Sequence, residues 1–513
     1  MNHSLTILTL VPLLGGIVVA GLGSERQKLA RGLALGFSLI ALTGAFCLWT
    51  HFQHDDVGLQ FVEQFTWVKS LGIDYYLGID GLGLLMVMLT ALVVPLAIMG
   101  SWSMADRPNV YHALILWLQA GLFGTFTALN FFHWFMFWEL GLIPAYFLVK
   151  LWGGPKRSSA ATQFFIYTMV GSVALLLSFL AIWLATRTAT EPGCFDFIKL
   201  AGMGKSGALT HALEATAFGW KGISLFIFFG VFLGFAVKVP LVPFHTWLPA
   251  TYSEAPSAVT MLLTGVMSKM GVYGFLRILL PIFPDQIRQV LTPLLWLAVA
   301  TIVLSACAAF AQRDLKRMLA YSSVNHLGYC LLAMFAAVGG VNATLGQKSA
   351  ALDGVLLQMF NHGLTASALF LFVALLEKRS GGLRGLDDFG GLRKVVPVFT
   401  GLMGIAIFSS LGLPGLNGFV GEFLIFFGVF ALAPWTAVLS TIGLLVTAIF
   451  LLTFIQRVFC GPLNERWAKF PDLTTAERWL VLPSIVLMFV LGIYPQLILG
   501  VIDTTVMNLV KQL

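Results

Sequence analysis

Long apolar runs separated by short polar connections make up almost the whole chain. A helix that crosses a bilayer needs about 20 mainly apolar residues. Runs of that kind fall near 5–22, 33–50, 79–100, 111–130, 131–152, 160–186, 221–248, 256–280, 290–311, 318–339, 350–377, 396–430, 435–459 and 478–502. The pattern predicts an all-α polytopic membrane protein with about 14 transmembrane helices. The first run is expected to be a membrane helix rather than a signal peptide, because only Asn2 and His3 follow the initial Met and no basic stretch leads into it.

Two of the runs carry helix-breaking residues at their middle. The seventh contains Lys238-Val239-Pro240-Leu241-Val242-Pro243, and the twelfth contains Ser409-Ser410-Leu411-Gly412-Leu413-Pro414-Gly415. Proline removes a backbone donor and clashes with the preceding turn, so both helices should be unwound there. Unwound backbone at membrane depth survives only where protein or water covers it. Pro240 lies 129 residues after Tyr111, where the fourth run begins, and Pro414 lies 124 residues after Val290, where the ninth begins. Each break therefore falls in the fourth helix of a five-helix unit, the arrangement expected of inverted transporter-like repeats. The resulting division is 1–110 for the first three helices, 111–280 and 281–460 for the two repeats, and 461–513 for the last helix.

Basic residues mark one side of the membrane. Arg26, Lys28, Arg31, Arg107, Lys156, Arg157, Arg313, Lys316, Arg317, Lys378, Arg379, Arg384, Arg393, Lys394, Arg466 and Lys469 all lie in connections after odd-numbered runs. The short connections after even-numbered runs hold only Lys69, Arg288 and Lys348, and the long one at 187–220 is weak evidence for either side. The positive-inside rule then places both termini outside, which is periplasmic for a bacterial inner membrane. Composition agrees with a lipid environment: 10% of residues are charged, against about 25% in soluble domains. The net charge of +7 is spread over the connections with no dense basic block, which argues against a nucleic-acid partner. Five scattered cysteines with no CxxC pair give no metal-ligand spacing.

Against this background four charges stand well inside apolar runs: Glu139, Lys238, Lys269 and Glu422. Each costs about 2.5–3.5 kcal/mol at a helix centre unless it is paired or hydrated. Glu139 and Lys238 read either as a structural ion pair between two helices or as working groups. Lys269 has no carboxylate near it in sequence, and Glu422, beside the second break, either caps unwound backbone or works as an acid. His245, His326 and His362 lie on helices that neighbour these charges, and imidazole can pass a proton between its two nitrogens. His112 and His133 fall near helix ends and read as interfacial. No Walker A motif, dinucleotide fingerprint, HExxH or GxSxG occurs, so the pathway moves protons and its energy source lies outside the chain.

The stretch Gly234-Phe235-Ala236-Val237-Lys238-Val239-Pro240-Leu241-Val242-Pro243-Phe244-His245-Thr246-Trp247-Leu248-Pro249, continuing through Glu254-Ala255-Pro256 and Lys269 to Tyr273-Gly274-Phe275-Leu276-Arg277, resembles the signature of the antiporter-like subunits. Such subunits occur in respiratory complex I, Mrp-type sodium/proton antiporters and membrane-bound hydrogenases. Gly78-Ile79-Asp80-Gly81-Leu82 and Asp314-Leu315-Lys316-Arg317-Met318-Leu319-Ala320-Tyr321-Ser322-Ser323 are similar to the same family, so the likeness spans nearly the whole chain. Gly418-Phe419-Val420-Gly421-Glu422-Phe423 carries glutamate where the L-type, N-type and Mrp members usually carry lysine, which resembles the M type of complex I. About ten residues follow the last run, without room for the long lateral helix of the L type. The resemblance implies that Glu139 and Lys238 form a gating ion pair, that Lys269 is the central relay, that His245, His326 and His362 line a hydrated axis, and that Glu422 is the terminal residue. It implies an NADH:quinone oxidoreductase in which L-type and N-type subunits are neighbours, and in which other subunits, not this chain, bind NADH, FMN, iron–sulfur clusters and quinone. An Mrp-type antiporter subunit or a membrane-bound hydrogenase subunit is the alternative. The family's acidic residue after Trp-Leu-Pro is replaced by Ala250-Thr251-Tyr252, so no role carries over to that stretch.

Overall fold

The computed structural model describes residues 3–23, 25–215, 220, 222–340 and 343–513. Asn2, Lys221 at the start of the seventh expected run, and 216–219 of the long connection lie outside the described residues. The chain folds as a helical bundle with one small hairpin. In order the elements are α1 (Ser4–Ala20), α2 (Gln27–His51), β1 (Gln60–Val68), β2 (Ile73–Ile79), α3 (Gly81–Gly100), α4 (Pro108–Thr127), α5 (Phe131–Trp152) and α6 (Arg157–Thr186). The short α7 (Phe197–Lys205) and α8 (Ala208–Glu214) precede α9 (Ile223–Lys238) and α10 (Trp247–Glu254). One continuous run follows: α11 (Ser257–Leu262), a π turn (Leu263–Met267), α12 (Lys269–Gly274), a second π turn (Phe275–Leu279) and α13 (Leu280–Ile282). Then come α14 (Pro284–Gln289), α15 (Leu291–Phe310), α16 (Leu315–Gly339), α17 (Leu345–Ser380), α18 (Pro397–Ser410), α19 (Asn417–Leu432), α20 (Pro434–Val458), α21 (Thr475–Ile493) and α22 (Gln496–Gln512).

Among the described residues, 11 helices are long and apolar enough to cross a membrane. They differ sharply in burial. α3, α16, α17 and the run Ser257–Ile282 are buried along almost their full length, whereas α2, α6, α20 and α21 present large apolar faces such as Leu177, Leu184, Leu445 and Trp479 outward. Exposed apolar faces of this size fit lipid rather than water. The core is the inner set of helices, and it carries the buried polar groups.

Both breaks lie where the prolines place them. α9 ends at Lys238, and the carbonyls its last turn leaves free are taken up locally: Leu241 N donates to Ala236 O at 2.9 Å, and the Trp247 indole donates to Val237 O at 3.0 Å. α18 stops at Ser410 and α19 starts at Asn417, with Gly412 (φ +78°) and Gly415 (φ +93°) supplying the left-handed turns that other residues adopt at a cost. The second break is stitched to α17: Asn361 Nδ2 donates to Asn417 O at 2.7 Å, and Asn417 Nδ2 donates back to Asn361 O at 3.3 Å.

Three features differ from the sequence reading. The run expected at 478–502 is two helices, because Pro495 cannot continue α21; α22, with Val501, Ile502, Thr505 and Val506 turned inward and Asp503 outward, takes the residues expected to trail the last helix. The hairpin β1–β2 lies in a connection too short and mixed for a 20-residue hydropathy ruler to register. It pairs Glu63 with Leu77 and Phe65 with Tyr75. Glu63 is buried and caps α1, accepting from Leu5 N at 2.8 Å and contacting the Thr6 hydroxyl. The third difference is the pair of π turns that flank α12.

A charged cluster spans the seam between the break after α9 and the second half of the chain. Lys316 Nζ lies 3.0 Å from Glu377, Arg384 lies 3.4 Å from Glu377, 2.5 Å from Asp314 and 4.0 Å from Glu254, and Ser257 Oγ donates to Glu377 at 3.0 Å.

Candidate functional site

The first π turn decides where Lys269 points. Five-residue closure leaves carbonyls that an α-helix would have used. Thr264 O is one of them, and it accepts from Ser268 Oγ at 3.0 Å and from Lys269 Nζ at 2.5 Å. Lys269 is fully buried and also lies 2.8 Å from His362 Nδ1 on α17. The His362 ring stands 5.1 Å from that of His326 on α16, centroid to centroid. His326 Nδ1 lies 3.0 Å from Glu422 Oε1 on α19, and its Nε2 lies 3.3 Å from Ser410 Oγ at the end of α18. Gln358 Nε2 touches both members of that pair, at 3.3 Å from His326 and 3.4 Å from Glu422. His326, His362, Asn361, Ser409, Ser410 and Glu422 line a small polar cavity with room for about one water molecule.

Four residues drawn from four helices thus lie in one line, Lys269–His362–His326–Glu422, inside the bundle, hydrogen-bonding distances joining its two ends and a 5.1 Å approach of rings its middle. Each of the four side chains can exist with or without a proton, which is the chemical requirement for passing one along such a line. Gln358 and Thr264 are the members that sequence reasoning missed. Gln358 is one helical turn from His362 on α17, and that i, i+4 spacing was the available signal. Thr264 had none, since it acts through its backbone carbonyl.

The other candidates are arranged differently. Lys238 is buried, but no salt bridge joins it to Glu139 among the described residues; the two interact only through space. Lys238 Nζ sits 4.7 Å from the Trp138 ring centroid, a cation–π contact with the neighbour of Glu139, and Glu139 Oε1 has no hydrogen-bond partner. The expected closed ion pair is therefore an open one here. Lys238 stays close to the Lys269 helix because Gly271 lets the backbones meet: a Cβ there would lie 2.9 Å from Val239 N and 3.0 Å from Phe235 O. His245 is half-buried, with its ring 6.3 Å from that of Tyr321 and its Nδ1 unpartnered, and no hydrogen bond joins it to the Lys269 line among the described residues. His112 and His133 lie near the N-terminal ends of α4 and α5 and are buried within the bundle; His112 Nδ1 lies 2.7 Å from Pro108 O.

The same chain has close counterparts. The family described as NADH:quinone oxidoreductase/Mrp antiporter, TM matches residues 128–449. NADH-quinone oxidoreductase subunit M of Rhodobacter capsulatus is 35% identical over 520 residues, covering 100% of this chain and 97% of the relative. The subunit of the same name from Escherichia coli K12 is 34% identical over 516 residues, covering 98% and 96%. Among solved structures, a chain of respiratory complex I from Thermus thermophilus with bound NADH superposes with a TM-score of 0.84 at 27% identity, covering 99% of both chains. Full-length relatives above 30% identity and a match across more than half of the residues leave one assignment: the chain belongs to the NADH:quinone oxidoreductase/Mrp antiporter transmembrane family.

Proposed function

We propose that this chain carries protons as the M-type membrane subunit of NADH:quinone oxidoreductase. The observation that supports this best is the contact line from Lys269 Nζ through His362 and His326 to Glu422 Oε1 at the centre of the bundle. Lys269 holds a proton next to His362; transfer to that imidazole, then across the single-water cavity to His326, delivers it to the Glu422 carboxylate. Glu139 and Lys238 gate the line electrostatically. When they approach, the carboxylate holds the charge on Lys238; when they part, as in this structure, Lys238 is free to give its proton inward.

The chain crosses the membrane about 14 times in this reading: the 11 long apolar helices, α1, α9 with its continuation α10, and α18 with α19. Residues 111–280 and 281–460 act as inverted repeats, each with one broken helix, flanked by 1–110 and 461–513. The basic connections face the cytoplasm of a bacterial cell and both termini face the periplasm. L-type and N-type subunits are its neighbours in the membrane, and NADH, FMN, iron–sulfur clusters and quinone are bound elsewhere in the complex. Glutamate rather than lysine at position 422 favours this over a cation/proton antiporter subunit.

NADH-driven proton pumping in membranes carrying Lys269→Ala tests the reading, with assembly checked in parallel. Assembled complex that no longer pumps is the expected result. Normal pumping would overturn it, and loss of sodium tolerance with untouched NADH oxidation would put the antiporter reading in its place.

A further inference from the structure

Beside the line, three buried polar side chains tie α16 to the outer helix α20. Asn325, the residue before His326, spends its amide group on two hydroxyls: Nδ2 donates to Tyr329 Oη at 2.8 Å and to Thr447 Oγ1 at 2.7 Å. The Thr447 hydroxyl itself donates to Gly443 O at 2.8 Å, so its oxygen is free to accept from Asn325. Asn325 Oδ1 has no hydrogen-bond partner among the described residues. Gly443 lets α20 come this close, since a Cβ there would lie 3.3 Å from Asn325 Oδ1 and collide with Ile302. Tyr329 lies one helical turn beyond Asn325 and His326, and its ring stands against the line. It meets the His326 ring edge to face, with centroids 5.5 Å apart and planes at 87°. On its other side it meets Phe426, one turn after Glu422 in α19, at 5.3 Å.

Joining α16 to α20 requires Asn325 and Thr447 alone. It does not require a tyrosine hydroxyl on the same amide, or an aromatic ring laid across His326. The His326 imidazole works in one orientation: Nδ1 lies 3.0 Å from Glu422 Oε1, and Nε2 lies 3.3 Å from Ser410 Oγ. Turning the ring over about its Cβ–Cγ bond puts carbon where both nitrogens were and breaks both contacts. We propose that Tyr329, anchored through its hydroxyl by Asn325 and Thr447, is a positioning residue that holds the His326 ring in the orientation for proton transfer to Glu422. The proposal rests on His326 being part of the relay. Tyr329 carries no proton in the step. An edge-to-face aromatic contact restricts the turning of the neighbouring ring, and the hydroxyl anchor restricts Tyr329 in its turn. The restraint thus starts on an outer helix and ends at the nitrogen that faces Glu422.

Three variants test this in the assembled complex. Tyr329→Leu removes the ring, Tyr329→Phe keeps the ring and removes the anchor, and Thr447→Val removes the far end of the anchor at nearly constant shape. NADH-driven proton pumping is expected to fall at least about tenfold in Tyr329→Leu and by less in the other two. A misplaced imidazole slows the proton transfer itself, so the solvent deuterium isotope effect on pumping is expected to rise above that of the unaltered complex in all three. A packing role alone leaves the isotope effect where it was. The proposal is overturned when Tyr329→Phe and Thr447→Val keep the isotope effect of the unaltered complex, whatever their pumping rate; these two decide the matter even when Tyr329→Leu fails to assemble. His326→Ala run alongside separates the two ideas. Normal pumping in it means that the relay reading itself has failed, whereas loss of pumping in it with unchanged isotope effects in the other variants means that only the positioning role is wrong.

Discussion

Charged residues inside a bilayer are expensive, and those buried here are accommodated by different kinds of partner. Lys269 and Glu422 are held by groups that can themselves exchange protons, His362 and His326. Lys238 is held by an aromatic face, which attracts the ammonium without competing for its proton. His362 is the only contact of Lys269 toward Glu422 among the described hydrogen bonds, so its removal breaks the line at its first step. His362→Ala is expected to lower NADH-driven proton pumping on the order of 10²-fold, with assembly intact, as read by a fluorescent pH probe in inverted membranes. Gln358, whose amide touches both His326 and Glu422 but cannot be protonated at neutral pH, is placed to orient the pair and cannot itself carry a proton.

At the scale of the element, irregular helices do the positioning. The prolines that follow α9 and the glycines between α18 and α19 unwind two helices beside buried polar groups, and freed carbonyls such as Val237 O and Asn417 O are taken up by neighbouring side chains. The π turn before α12 does so without a proline, with Gly265 at its centre. Its extra residue rotates Lys269 by about 100° relative to regular α geometry and frees Thr264 O to hold the ammonium. Deleting Val266 restores regular winding and swings Lys269 off His362. The expected outcome is a complex with unchanged helical content by circular dichroism and no pumping; pumping at the normal level would show that the π turn does not matter to the site.

The whole molecule is divided by burial into inner helices that carry the line and outer helices that meet lipid. What ties the region after the first break to the second half is electrostatic: Glu254 and Ser257 on one side, Lys316, Glu377, Asp314 and Arg384 on the other. Glu377 is the hub, since it meets both cations. Glu377→Ala leaves Lys316, itself 5% exposed, as an uncompensated buried charge. The expected loss of stability is about 3–5 kcal/mol, read as a lowered thermal transition of the purified subunit-containing complex. Gln at the same position keeps the Ser257 hydrogen bond and should lose less.

Much of this was legible in the residues themselves. Hydropathy placed the apolar helices because a bilayer allows few other solutions for backbone polar groups. Prolines announced both breaks because their chemistry is local, and Glu139, Lys238, Lys269 and Glu422 stood out because charge in an apolar run is costly wherever the run ends up. Which charges meet was another matter. Lys269 and His362 are 93 residues apart in sequence, Glu422 and His326 are 96 apart, and Arg277 and Asp80 are 197 apart; no local rule relates them. Glu139 and Lys238 read as an ion pair, yet no salt bridge joins them among the described residues, and the Trp138 ring lies against the ammonium. The hairpin and the π turns were out of reach, since each depends on what packs against it rather than on its own period, whereas Pro495 did mark the separation of α22 from α21. Sequence alone determined the solvent, the class of fold and the list of chemically active side chains; only the tertiary structure decided which of them touch, because contact across helices is set by packing and not by distance along the chain.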